Sequence, residues 1–164
     1  MKEAYDSAGV VANDRGITVW LKGNRVSRNQ IMAIKEESVT DQKNSLTVCL
    51  DNILRHAGIT RNTEYDLAQG KTAIQILEEN MTGVQVLDLS GCSLDAVLYY
   101  VNQDIPVLAI LEDGEAGLVT GFNEFNVVIM EPSTGKLYKK GMNDATTWFA
   151  ENGNHFISYM KIEN

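Results

Sequence analysis

DIPVLAILEDGEAGLVTGFNEFNVVIMEPSTGKLYK, residues 104–139, is the stretch that decides the fold. Its apolar runs are Val107 to Leu111, Leu118 to Phe122, Val127 to Met130 and Leu137 to Lys139, and Ser133-Thr134-Gly135 turns between the last two. Short runs rich in β-branched residues, separated by Gly, Asn, Asp and Pro, read as antiparallel strands. Upstream the period becomes helical. Leu46, Leu50, Ile53, Leu54 and Ala57 share one face of a helix that Asn44 or Ser45 can cap and Gly58 ends. A second helical stretch carries Ala73, Ile74, Leu77 and Met81, and Val84, Val86 and Leu87 make a short strand before Ser90-Gly91. Ser93 caps a third helix through Leu94, Val97, Leu98 and Val101, which Asp104-Ile105-Pro106 breaks. Downstream, Asn143-Asp144 caps a helix bearing Trp148 and Phe149, Gly153 ends it, and His155 to Ile162 alternates as a closing strand. Helices first and antiparallel strands afterwards predict an α+β domain.

At the other end, Glu3 to Ala8 reads as a short helix or turn ahead of a hairpin. Val10, Val11 and Ala12 lead into Asn13-Asp14-Arg15-Gly16, and Ile17, Val19 and Leu21 alternate beyond it. Lys35 to Lys43 is charged and loop-like, a junction between an N-terminal helix and hairpin element (1–38) and the α+β domain (39–164). The 164 residues are 44% hydrophobic and 22% charged, enough for one core without a metal or disulfide staple. A net charge of -8 repels phosphate backbones and anionic headgroups, so neither nucleic acid nor a bare membrane surface is an expected partner. Cys49 and Cys92 are too few and too far apart for a zinc ribbon and read as buried thiols. No metal or cofactor is expected. The chain opens in what reads as mid-domain, so it is expected to be part of a longer bacterial protein, with the cell exterior as the favoured compartment. The composition leaves the oligomeric state open.

The ordered pieces are Gln42 ahead of Ser45, the helix to Gly58, Gln103-Asp104-Ile105-Pro106-Val107, Leu118-Val119-Thr120-Gly121-Phe122, Glu131-Pro132-Ser133-Thr134-Gly135 and Asn143 to Phe149. Their order and spacing resemble the bacteriocin-processing (double-glycine) peptidase branch of the papain-like cysteine peptidases over residues 40–162. The resemblance implies a papain-like fold, a helical half packed on an antiparallel sheet. It also implies a site with Gln42 at the oxyanion position, Ser45 where the family has its cysteine, Glu115 where it has histidine, and Glu131 where it has the orienting aspartate.

Each departure removes something physical. A serine hydroxyl is a far weaker nucleophile than a thiolate and needs a good base beside it. A glutamate cannot become the cation that stabilises a thiolate, and a carboxylate at Glu131 would repel one at Glu115 instead of steering an imidazole. The resemblance therefore implies a catalytically inactive peptidase-like domain that holds a peptide in the old cleft or serves as a structural module. Ser45, Glu115 and Glu131 would give that cleft an acidic floor suited to basic or polar peptides.

Two other readings stand beside it. Cys49 could act as nucleophile with His155 as base, making an active thiol peptidase, although Cys49 sits inside a helix where the help of free N-terminal amides fades. His56, two turns along the same helix, is out of its reach and suits the helix C-terminus. Alternatively the domain is purely architectural, part of a surface protein with no ligand. The carboxylates Glu112, Asp113 and Glu115 around Gly114 fit no calcium loop and read as a solvated hairpin turn.

Overall fold

The computed structural model of the chain describes residues 10–11, 18–19, 30–31 and 44–162. The expected helix at Glu3 to Ala8, the turn Asn13 to Gly16, the junction Lys35 to Lys43 and Gln42 all lie outside the described residues. The fold is α+β. Three two-residue strands come first: β1 (Val10–Val11), β2 (Thr18–Val19) and β3 (Gln30–Ile31). Three helices follow: α1 (Ser45–His56), α2 (Glu64–Ala68) and α3 (Ala73–Asn80). Then come β4 (Val84–Asp88), α4 (Leu94–Asn102), β5 (Val107–Ile110), β6 (Ala116–Phe122), β7 (Asn126–Glu131), β8 (Lys136–Gly141), α5 (Met142–Glu151) and β9 (His155–Lys161).

β1 and β2 pair antiparallel as a small hairpin, with Val10 opposite Val19. The main sheet runs β4-β9-β5-β6-β7-β8, and all of its pairings are antiparallel. β5 pairs with β6 only over Ala116 to Val119, and β3 pairs with the remaining Gly121 and Phe122. Because β7 occupies the other edge of β6 at Gly121 and Phe122, β3 must continue the row that β5 begins. The N-terminal segment, set apart on sequence grounds, thus supplies a strand to the main sheet, and β2 lies against α4. The register slips between Val119 and Gly121, leaving Thr120 as the extra residue of a bulge.

Leu50, Ile53 and Leu54 from α1, Ile76 and Leu77 from α3 and Leu98 from α4 join Leu108, Leu118, Ile129 and Phe156 of the sheet in one core. Each such side chain contributes roughly 1.5–3 kcal/mol by leaving water. That shared core fixes α1 against β6 and so sets what can meet at the N-terminus of α1. No helix among the described residues is long and apolar enough to cross a membrane.

Candidate functional site

The N-terminus of α1 is organised by Asn44, not by Ser45. Asn44 is the N-cap, and its Oδ1 accepts from the Leu46 amide at 2.8 Å. Ser45 is therefore the first helical residue and its hydroxyl is free to face the sheet. That hydroxyl donates to the Glu115 carboxylate across 70 positions of sequence. Its oxygen also accepts from the Ala116 amide at 2.9 Å.

Glu115 is delivered by the turn between β5 and β6. Gly114 takes φ +86°, which a side chain would resist, and the Leu111 amide donates to the Glu115 carbonyl at 2.8 Å. The Glu115 amide in turn donates to Asp113 Oδ1 at 2.9 Å. This is the solvated hairpin turn expected from the Glu112–Glu115 run, and Glu115 itself is exposed while Ser45 is half-buried. The helix and the sheet thus bring the nucleophile and base positions implied by the resemblance into direct contact, as a serine and a glutamate.

Chemically the pair is a hydroxyl hydrogen-bonded to a carboxylate with an amide donor on the hydroxyl oxygen. An engaged lone pair has less electron density to offer an electrophile. The carboxylate can accept from the hydroxyl, but it cannot hold the mobile imidazolium charge that a thiol–imidazole mechanism requires.

Glu131 is not part of this contact. It ends β7, where its carboxylate accepts from the Ser133 hydroxyl and, at 3.4 Å, from Thr134 Oγ1, while its carbonyl takes the Gly135 amide at 2.7 Å. Among the described residues no hydrogen bond or ion pair joins Glu131 to Ser45 or Glu115. Gln42 lies outside the described residues.

The second candidate pair, Cys49 and His155, is not brought together in this way. Cys49 is 0% exposed within the core, and burial pushes its thiol well above the ordinary range. His155 opens β9 in an exposed position opposite Ile110, and no hydrogen bond joins it to Cys49. His56 is the last residue of α1, with Nε2 3.0 Å from the Asp104 carbonyl and 3.5 Å from its carboxylate. It ties the end of α1 to the break after α4, where Asp104 takes φ +66°. Cys92 is also buried. Among the described residues no three His, Cys, Asp or Glu side chains gather to hold a metal ion.

Sequence reasoning missed two features. The Ala116 amide at the serine oxygen is a backbone donor with no side-chain signature. The buried carboxylate of Asp51, which accepts from the Thr63 amide at 2.8 Å, steadies the loop after α1. Its one available sign was a charged residue beside the apolar face of a helix.

No protein-family model matches the chain, and no curated protein sequence matches it. A solved structure does: a crystal structure from Bacillus anthracis, assigned as a C39-like peptidase, superposes with a TM-score of 0.67 at 14% identity. The match covers 84% of this chain and 100% of that chain. The fold is that of a C39-like peptidase, and a shared fold by itself carries no activity.

Proposed function

We propose that this chain is a catalytically inactive peptidase-like domain that binds a peptide segment at the mouth of α1 without cleaving it. The observation that carries the reading is the Ser45–Glu115 contact. The nucleophile position holds a hydroxyl committed to a carboxylate and an amide, and the base position holds the group that accepts from it. Both cysteines are buried, which removes the alternative thiol from the surface. The turn carrying Glu112, Asp113 and Glu115 makes the mouth acidic, favouring basic or polar peptides over acidic ones. The absence of nucleic-acid and membrane partners belongs to the same proposal and rests on the net charge of -8.

The test is to incubate the protein with a synthetic peptide spanning a double-glycine site and follow it by calorimetry and mass spectrometry. Heat of binding with the peptide recovered intact is the expected result. Hydrolysis at the double glycine would overturn the inactive reading, and no binding by this or by a basic peptide would leave the architectural one.

A further inference from the structure

The turn that presents Glu115 to Ser45 also lines a separate cavity with its first half. Leu111 and Glu112 stand there with Ile74 of α3, Asp88 at the end of β4, and Ile110 and Ile157 of the sheet, around a volume of about 390 Å³. Ser90 and His155 complete the lining. Ile157 is buried and Ile74 and Ile110 are half-buried, whereas Asp88, Glu112 and His155 are exposed. The cavity therefore has an apolar floor and a polar rim. Among the described residues, no lysine or arginine lines it.

Gly153 shapes the rim. A Cβ there would lie 2.7 Å from His155 Nε2 and 3.2 Å from Glu112 Oε1, so the imidazole and the carboxylate converge over a backbone that carries no side chain. Its φ of +88° suits glycine for a second reason. Glu112 is held from behind as well, its amide donating to Asn152 Oδ1 at 3.1 Å.

An apolar floor with a carboxylate at its edge matches a side chain built from an aliphatic stem and a cationic head. We propose that this cavity takes a lysine or arginine side chain of the peptide bound at the Ser45–Glu115 mouth, the stem lying on Ile110 and Ile157 and the head at Glu112. The assignment rests on the peptide-binding reading above and adds to it the chemistry of one residue of the peptide. The acidic mouth alone would favour any cation, whereas the apolar floor selects one on a long stem.

The experiment is methyl and amide NMR of the isotope-labelled protein titrated with acetyl-Gly-Gly-Lys-Gly-Gly-amide, and with the same peptide carrying norleucine or glutamate in place of lysine. The lysine peptide is expected to shift the Ile74, Ile110 and Ile157 methyls. Norleucine, or Glu112→Gln in the protein, is expected to weaken that response about threefold, the scale of a partly exposed charge pair. Glutamate should weaken it further. Equal binding of lysine and norleucine would overturn the cationic assignment. A response at the Ala116 amide with silent isoleucine methyls would overturn the cavity while leaving the peptide-binding mouth intact. Silence at both would sink both.

Discussion

Ser45 and Cys49 stand four residues apart on one helix, about one turn, and the fold gives them opposite surroundings. Ser45 is at the helix mouth, half-buried, in contact with Glu115 and Ala116 of the sheet. Cys49 is in the core with no exposure, its thiol pushed up by burial alone. The better nucleophile by chemical type is in the wrong place, and the residue in the right place is the weaker type. Reactivity is therefore governed here by a single helical turn, because the buried stripe of α1 begins one turn after its N-cap.

The comparison breaks most visibly under alkylation. In the Ser45→Cys variant, iodoacetamide at neutral pH should modify the introduced thiol while Cys49 and Cys92 react only through opening of the structure. For ordinary domain stability that difference is about a thousandfold or more. Intact mass and peptide mapping against time give the rates. Comparable labelling of Cys49 in the folded wild-type protein would put it at the surface and restore the thiol-peptidase reading with His155.

Smaller, and independent of any reagent, is the alkaline limb of stability. The raised Cys49 thiol stays protonated in the folded state, whereas in the unfolded chain an ordinary thiol ionises near about pH 8.5. Above that pH the unfolded state binds fewer protons than the folded one, so stability falls as pH rises; below it the contribution is fully present. The expected slope is about 1.4 kcal/mol per pH unit. Tyr100, pushed up to about 12 by burial first and then by Tyr99 and Cys92, adds a further decline above the usual tyrosine range. Urea midpoints between neutral and mildly alkaline pH should show the slope in wild type and a flatter one in Cys49→Ala. Equal slopes would mean that the thiol is not desolvated.

The same contrast between local and distant structure explains what could be read from sequence. The strands within 104–139 were legible because each is joined to the next by a short turn whose residues announce it. β5 stops at Ile110, one residue short of its apolar run, whereas β6, β7 and β8 run longer than theirs because pairing continues past the side chains: Lys140 and Gly141 of β8 still pair with Val127 and Asn126. The helix α2 was missed because EYDLA shows no apolar stripe. Side-chain bonds hold it instead: Asp66 takes the Arg61 guanidinium of the preceding loop at 3.0 Å, and Asp51 of α1 takes the amide of its N-cap Thr63 at 2.8 Å. Asn143 and Asp144, expected as a cap, fall inside the first turn of α5, whose N-cap is Gly141 at the end of β8 with no side-chain bond. At the site, Ser45 and Glu115 were matched through resemblance, but their contact spans 70 positions and depends on how α1 packs on β6, which no local rule contains. The turn holding Glu131 is entirely local, with Ser133 and Thr134 two and three residues away.

That last difference gives the smallest and sharpest test. Ser45 and Glu115 share a hydrogen bond at a half-open site, so a double-mutant cycle of Ser45→Ala and Glu115→Gln should show a coupling of about 0.5–1 kcal/mol. The cycle of Ser45→Ala with Glu131→Gln should show none beyond error, because the Glu131 carboxylate is occupied by the hydroxyls of its own turn. Urea unfolding of the single and double variants measures both. A Ser45–Glu131 coupling as large as the first would mean that the three positions act as one unit. The mouth would then hold a nucleophile, a base and an orienting group in working relation, and the inactive reading would have to give way to a serine–carboxylate hydrolase.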